Sequence, residues 1–230
     1  MAVKVKICGI TNKEDAFWAS SLGADFIGLN FYKNSIRKVS LKNAKDIVNS
    51  LPSYTCVVGV FVDESLEEIL KICSKVSFNY VQLHGNEEVE YCKNLKLSNS
   101  NIKIIKVFKI KPEVEIQNME GYVESLYQKI SQYKEYIDYL LFDTYIETEP
   151  GGTGEIFCWS VVKKLKEKMQ NENFNINFFI AGGLNTDNVE KLIEELEPWG
   201  VDVASGVERL PRRKDFDKMK EFIRKVKSVK

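Results

Sequence analysis

Thr55-Cys56-Val57-Val58-Gly59-Val60-Phe61-Val62-Asp63-Glu64-Ser65-Leu66-Glu67-Glu68-Ile69-Leu70-Lys71-Ile72-Cys73-Ser74 contains the unit that decides the fold. Its first part, Thr55–Val62, is apolar at nearly consecutive positions. Such a run suits a parallel strand buried on both faces better than a half-exposed antiparallel one. Its second part, Ser65–Ser74, puts Leu66, Ile69, Leu70 and Cys73 on one helical face, with Asp63 in position to cap it. Strand, turn and amphipathic helix make one βα unit.

The same unit recurs on both sides of this stretch. Further apolar runs stand at Val3–Cys8, Phe26–Phe31, Tyr80–Leu83, Ile102–Phe108, Tyr139–Phe142, Phe178–Ala181 and Val201–Val203. Each is followed by a segment with helical spacing. Thr11-Asn12-Lys13-Glu14 opens the first with a Thr cap and a Glu three residues on, a reciprocal capping pattern. Ser40 precedes Leu41–Leu51, and Asn86 opens Glu87–Leu97. Met119–Tyr136, Phe157–Met169, Thr186–Leu196 and Asp215–Lys227 complete the set. Eight βα units in strict alternation predict a (β/α)8 barrel of the TIM type. No Pro/Gly/Ser-rich linker interrupts 1–230, so the reading is a single domain. The Asn-rich stretches at 94–101 and 171–177 read as surface connections.

Composition narrows the function. A chain of 230 residues buries roughly 70–75% of its unfolded surface and needs no staple to do so. With 33 Lys+Arg against 33 Asp+Glu the net charge is zero, which removes the overall attraction a general nucleic-acid binder relies on. Cys8, Cys56, Cys73, Cys92 and Cys158 are odd in number, widely spaced and free of any C-x-x-C pair, which points to a reducing compartment. A single histidine, His84, excludes a multi-histidine metal site. No apolar run approaches membrane-spanning length, and Met1–Lys6 lacks the apolar core of a signal peptide. The expectation is a soluble, cytoplasmic protein.

In this architecture the active site lies at the C-terminal ends of the strands. The runs deliver Cys8, Arg37, His84, Lys106, Asp143 and the glycines Gly182, Gly183 and Gly206 to that end. Small residues after the seventh and eighth runs let backbone amides approach an anion, with helix starts adding dipole potential. A phosphorylated small molecule fits these loops, although glycines that merely turn the chain are the plainer alternative. Asp143 closes the run Leu140-Leu141-Phe142, and burial against an apolar wall would raise its pKa toward that of a general acid. Its alternative is a structural or capping carboxylate. Cys8 is either an inert buried thiol or, beside cations, one able to ionise and take a proton. The Arg37 fork suits a carboxylate or simply solvent. His84 reads as a hydrogen-bonding or loop-packing residue rather than a metal ligand.

Several motifs, taken in order, resemble phosphoribosylanthranilate isomerase of tryptophan biosynthesis. They are Lys6-Ile7-Cys8-Gly9-Ile10-Thr11, Gln82-Leu83-His84-Gly85, Phe142-Asp143-Thr144 and Gly151-Gly152-Thr153-Gly154 with Phe157 and Trp159. Gly182-Gly183-Leu184-Asn185, then Asp202-Val203-Ala204-Ser205-Gly206-Val207-Glu208, and Lys214-Asp215 follow. The resemblance implies an Amadori rearrangement, with no metal or organic cofactor. It implies Asp143 as general acid and Cys8 as general base. Arg37 would hold the anthranilate carboxylate, and His84, Gly182, Gly183, Asp202, Ser205 and Gly206 would contact substrate. The partner implied is the small-molecule substrate alone, on a monomer or homodimer. The chain departs from the family at Glu155 and Cys158, where Lys and Asp are common, and at Arg212, where a glycine is usual. Other phosphate-binding barrels are rivals: a histidine-pathway sugar isomerase would pair aspartates where this chain has Cys8. Indole-glycerol-phosphate synthase would need a glutamate partner for Lys106. A catalytically silent binding barrel is the rival of another class.

Overall fold

The computed structural model describes residues 2–110, 118–143 and 154–229, with 154–158 described by backbone alone. Each apolar run is a strand: β1 (Lys4–Cys8), β2 (Phe26–Asn30), β3 (Cys56–Phe61), β4 (Tyr80–Leu83), β5 (Lys103–Lys109), β6 (Tyr139–Asp143), β7 (Asn177–Ala181) and β8 (Gly200–Val203). The helices between and after them are α1 (Lys13–Ser21), α2 (Leu41–Val48), α3 (Leu66–Val76), α4 (Val89–Ser98), α5 (Met119–Ser131), α6 (Gly154–Asn171), α7 (Val189–Leu196) and α8 (Phe216–Ser228). The strands pair in chain order, all parallel, and β8 returns to β1, closing a (β/α)8 barrel.

Strand alternation sorts the side chains into two layers. On β1, Val5 and Ile7 pack outward with helix residues such as Ala16 and Val226, so Lys4, Lys6 and Cys8 face the barrel axis. The interior is a separate apolar cluster of Phe26, Val58, Ile105, Val107, Leu141, Phe179 and Ala181. Tyr80, Tyr139 and Trp199 pack against it from the N-terminal ends of their strands. Their rings interlock, with Tyr139–Trp199 centroids 4.9 Å and Phe179–Trp199 centroids 5.0 Å apart. Apart from Lys4, the first residue of β1, the polar inward residues stand above the N-terminal end of the barrel.

At α1, α3 and α4 the helix starts differ from the sequence reading. Asn12, not Thr11, caps α1, its side chain accepting from the Asp15 amide. Thr11 instead donates to the Arg212 carbonyl. Ser65, not Asp63, caps α3; Asp63 adopts φ +48° and accepts from the Asn86 amide. α4 begins at Val89 rather than Glu87, because the Glu87 carboxylate turns inward to Lys106 and the amides of Asp63 and Gly85. In each case a long-range partner outcompetes the local cap.

Beyond β8 the chain makes one 3-10 turn, Ser205–Val207, and then a short hairpin of β9 (Glu208–Leu210) and β10 (Arg213–Lys214). Arg212, at its tip, holds the left-handed φ of +72°.

Candidate active site

Cys8 and Asp143 are the last residues of β1 and β6, and alternation turns both toward the axis at the C-terminal end. Gly28, opposite Cys8 on β2, makes room for the sulfur: a Cβ there would stand 2.7 Å from Sγ. The Asp143 side chain is 18% exposed and accepts from His84, whose Nε2 lies 3.1 Å from Oδ2. Gln82 Nε2 is 3.1 Å from His84 Nδ1. With the amide donating to Nδ1, the hydrogen sits on Nε2 and points at the carboxylate. β4 thus sends Gln82 and His84, two residues apart, to hold the carboxylate on β6.

Around Cys8 lies an array of buried charge. Lys6 shares its strand face, and Asp202 stands opposite Lys6 in the β1–β8 register, Nζ to Oδ2 2.7 Å, with both side chains buried. Beyond them, Glu208 accepts from Arg37 at Nε (2.8 Å) and Nη2 (2.6 Å), a bidentate pair. Lys214, fully buried, donates to Glu208 at 3.2 Å and to the Ala204 carbonyl at 2.8 Å. Burial alone would push Glu208 up, but the Arg37 bonds and Lys214 outweigh it and hold its carboxyl below the usual range. Lys214 goes the other way: burial pulls its ammonium down despite Glu208. Gly9, at φ +73°, leaves the space Arg37 occupies, since a Cβ there would meet Arg37 Cδ at 2.4 Å.

The thiols divide by surroundings. Burial pushes Cys73 up to about 12 and Cys92 to about 11. Cys8 is also raised by burial, and Asp202 adds to that, while Lys6 and Lys214 pull it back. The expectation that nearby cations favour the Cys8 thiolate therefore holds for their direction, but burial exceeds them.

Two further expectations change. Lys106 does not enter the mouth: it shares the β5 face of Ile104 and Phe108, under the helices, and its Nζ is taken by Glu87 (2.6 Å) and the Gly85 carbonyl (2.9 Å). The dipole argument for the glycine loops also shrinks. α7 starts only at Val189, with Asn185 and Asn188 folding the intervening loop through side-chain bonds to its amides, so the helical start next to the mouth is the single turn Ser205–Val207. Gly182 and Gly183 both take positive φ, and Gly206 packs so closely on the next loop that a Cβ would lie 1.9 Å from the Leu184 carbonyl oxygen. The β7 and β8 loops are thereby locked together. Inside the barrel, Gln82 Oε1 and Asp202 Oδ1 are buried without a hydrogen-bond partner, and a bound ligand could satisfy them.

Sequence reading passed over Lys6 and Gln82, although their signal was present: each lies two residues before a chosen strand-end residue and so shares its face. Lys214 and Glu208 had no such signal, because their meeting depends on the hairpin. Among the described residues no cluster of His, Cys, Asp or Glu is arranged for a metal ion, and no helix is long and apolar enough to cross a membrane.

Residues 5–225 match the family model for N-(5'-phosphoribosyl)anthranilate isomerase. The chain belongs to this family. An isomerase of that name from Thermotoga neapolitana is 40% identical over 230 residues, 99% of this chain and 100% of that protein. The crystal structure of phosphoribosyl anthranilate isomerase from Thermotoga maritima superposes with a TM-score of 0.79 at 37% identity, covering 99% of this chain and 100% of that one. A second isomerase structure, in complex with reduced 1-(o-carboxyphenylamino)-1-deoxyribulose 5-phosphate, gives 0.76 at 35% identity with the same coverage. Of the isomerase motifs, Thr144 and Gly151–Thr153 lie outside the described residues, as do the side chains of Glu155, Phe157 and Cys158. Arg212, where the resemblance led to the expectation of glycine, holds a left-handed backbone that glycine adopts without strain.

Proposed function

We infer that the chain, as one domain over 1–230, converts N-(5-phosphoribosyl)anthranilate to 1-(2-carboxyphenylamino)-1-deoxyribulose 5-phosphate in tryptophan biosynthesis. The observation that carries this is the inward pair Cys8 and Asp143 at the C-terminal end of a barrel of this family. Asp143 protonates the furanose ring oxygen, and the ring opens to a Schiff base. His84 occupies Oδ2, which leaves Oδ1 to carry the proton. Cys8, as thiolate, removes the proton from ribose C2, and the enolamine tautomerises to the ketone. The acid and base roles in ring opening and C2 deprotonation thus fall to Asp143 and Cys8.

The substrate's two anions divide between the two sides of the mouth. Gly182, Gly183, Ser205 and Gly206 take the phosphate on the joined β7 and β8 loops. Arg37 takes the anthranilate carboxylate, using the guanidinium edge that Glu208 leaves open. Asp202 Oδ1, buried inside the barrel without a hydrogen-bond partner, bonds a substrate hydroxyl. The protein works as a monomer or homodimer in the cytoplasm. Purified protein mixed with phosphoribosylanthranilate should quench the substrate's fluorescence; an unchanged signal from folded protein would sink the assignment.

A further inference from the structure

Fixed charges surround Cys8. Lys6 faces it from its own strand, Asp202 from β8, Lys214 from β10 and Arg37 from the loop after β2, while Glu208 on β9 pairs Arg37 and Lys214, and the buried Asp15 of α1 accepts the Lys214 amide. The β2 residue opposite is Gly28, which carries no charge. Lys6, Asp202, Glu208 and Lys214 side chains are all at least nine-tenths buried and pair as two cations with two carboxylates, whereas Arg37 is 23% exposed and bonded to Glu208. Ionising a buried thiol is costly unless a fixed cation stands beside it. Lys6 is the cation on the Cys8 strand face.

We propose that Lys6 is a positioning residue for Cys8, a buried ammonium locked by Asp202 that offsets the charge of the sulfur when Cys8 becomes a thiolate. This rests on the reading of Cys8 as the base and adds how that base is kept usable. The geometry fits the role. Lys6 cannot swing to solvent, because its side chain is fully buried and its Nζ is 2.7 Å from Asp202 Oδ2. Cys8 lies two residues along the same strand face, where the ammonium favours its thiolate. A rigid cation needs no reorganisation as the sulfur ionises. Burial pulls the Lys6 ammonium down, yet Asp202 and Cys8 more than restore it, so it stays charged across the working pH range. Asp202 both anchors Lys6 and opposes the thiolate, so the two residues should act on Cys8 in opposite directions.

The test reads the thiol directly. Iodoacetamide alkylation would be timed across pH and resolved by peptide mass spectrometry, so that Cys8 is followed apart from the other four cysteines. Relative to the parent protein, Lys6→Met should raise the Cys8 midpoint by about one to three pH units, and Asp202→Asn should lower it by a similar amount. The double variant, with the charge count restored, should fall between them. Cys73 and Cys92 in the same digests should stay unreactive, which reports that the barrel is intact. A Cys8 midpoint unmoved in folded Lys6→Met would overturn the proposal. Should that variant not fold, a midpoint in Asp202→Asn that fails to fall would do so by itself. The acid limb of the kcat profile should move with the midpoint. A midpoint that shifts while that limb stays fixed would keep the charge array and remove Cys8 as the base.

Discussion

At the scale of single residues, acid and base are separated by what surrounds them. Asp143 is held by an imidazole N–H and is partly open to the mouth, whereas Cys8 sits over buried charge. Cys8→Ser should keep the fold and lose more than about 10²-fold in kcat, because a hydroxyl of similar shape ionises far too weakly to act as base. Asp143→Asn should lose as much in kcat with little change in product-analogue affinity, since the amide keeps the size and still meets His84. Steady-state kinetics alongside calorimetry separates the two effects. Arg37→Ala has a different signature. It removes the carboxylate contact and leaves Glu208 with Lys214 alone, so KM should rise at least about tenfold while inhibition by inorganic phosphate is retained. Competitive phosphate inhibition weakened as much as substrate binding would place both anions on Arg37.

Among the elements, the hairpin after β8 shows how sequence pattern and three-dimensional need diverge. Its tip residue Arg212 is left-handed, which costs an L-residue about 1–2 kcal/mol, and its carbonyl is bound by Thr11. Arg212→Gly should therefore stabilise the protein by about 0.5–1 kcal/mol, after allowing for glycine's freer unfolded chain, with Tm from thermal unfolding as the measure. A lower Tm would show that the Arg212 side chain contributes more than its backbone costs. Strands and helix faces were legible because apolar periodicity is local: every barrel strand lies where an apolar run stands. Caps were less so. Thr11 and Asp63 are sound caps by residue type, but Arg212 and Asn86, remote in sequence, claim them first. Lys106 was misplaced for a related reason. Strand parity decides whether a residue faces axis or helices, and a consecutive apolar run does not display its parity.

For the molecule as a whole, the first and last elements are tied at one point. Asp25 accepts from Lys4 on β1 at 2.9 Å and from Lys227 on α8 at 2.7 Å, and also takes the Val5 amide. Burial raises this carboxyl, but the Lys227, Val5 and Lys4 bonds outweigh it and its pKa is lowered. A depressed carboxylate contributes stability fully present above the unfolded value, ~3.9, and lost as pH falls through the folded one. Asp25→Asn should thus cost about 1 kcal/mol at neutral pH, allowing for solvent screening, and the difference from the parent should vanish in acid. Urea titrations at pH 7 and at low pH measure both; an equal deficit at the two would refute the tie. The barrel itself was legible from eight repeats, and the strand-end site residues from the architecture. The charge array was not, because it joins β1, β8 and the hairpin. The Lys6–Asp202 pair spans 196 positions. A growing chain therefore carries β1 as a raw edge, open to wrong pairing, until Gly200–Val203 has left the ribosome. Sealing that edge and seating the ammonium against its carboxylate are one event. Turnover is then a direct clock for the final step of folding: a refolding chain should gain activity only as its seam shuts, however early its helices form.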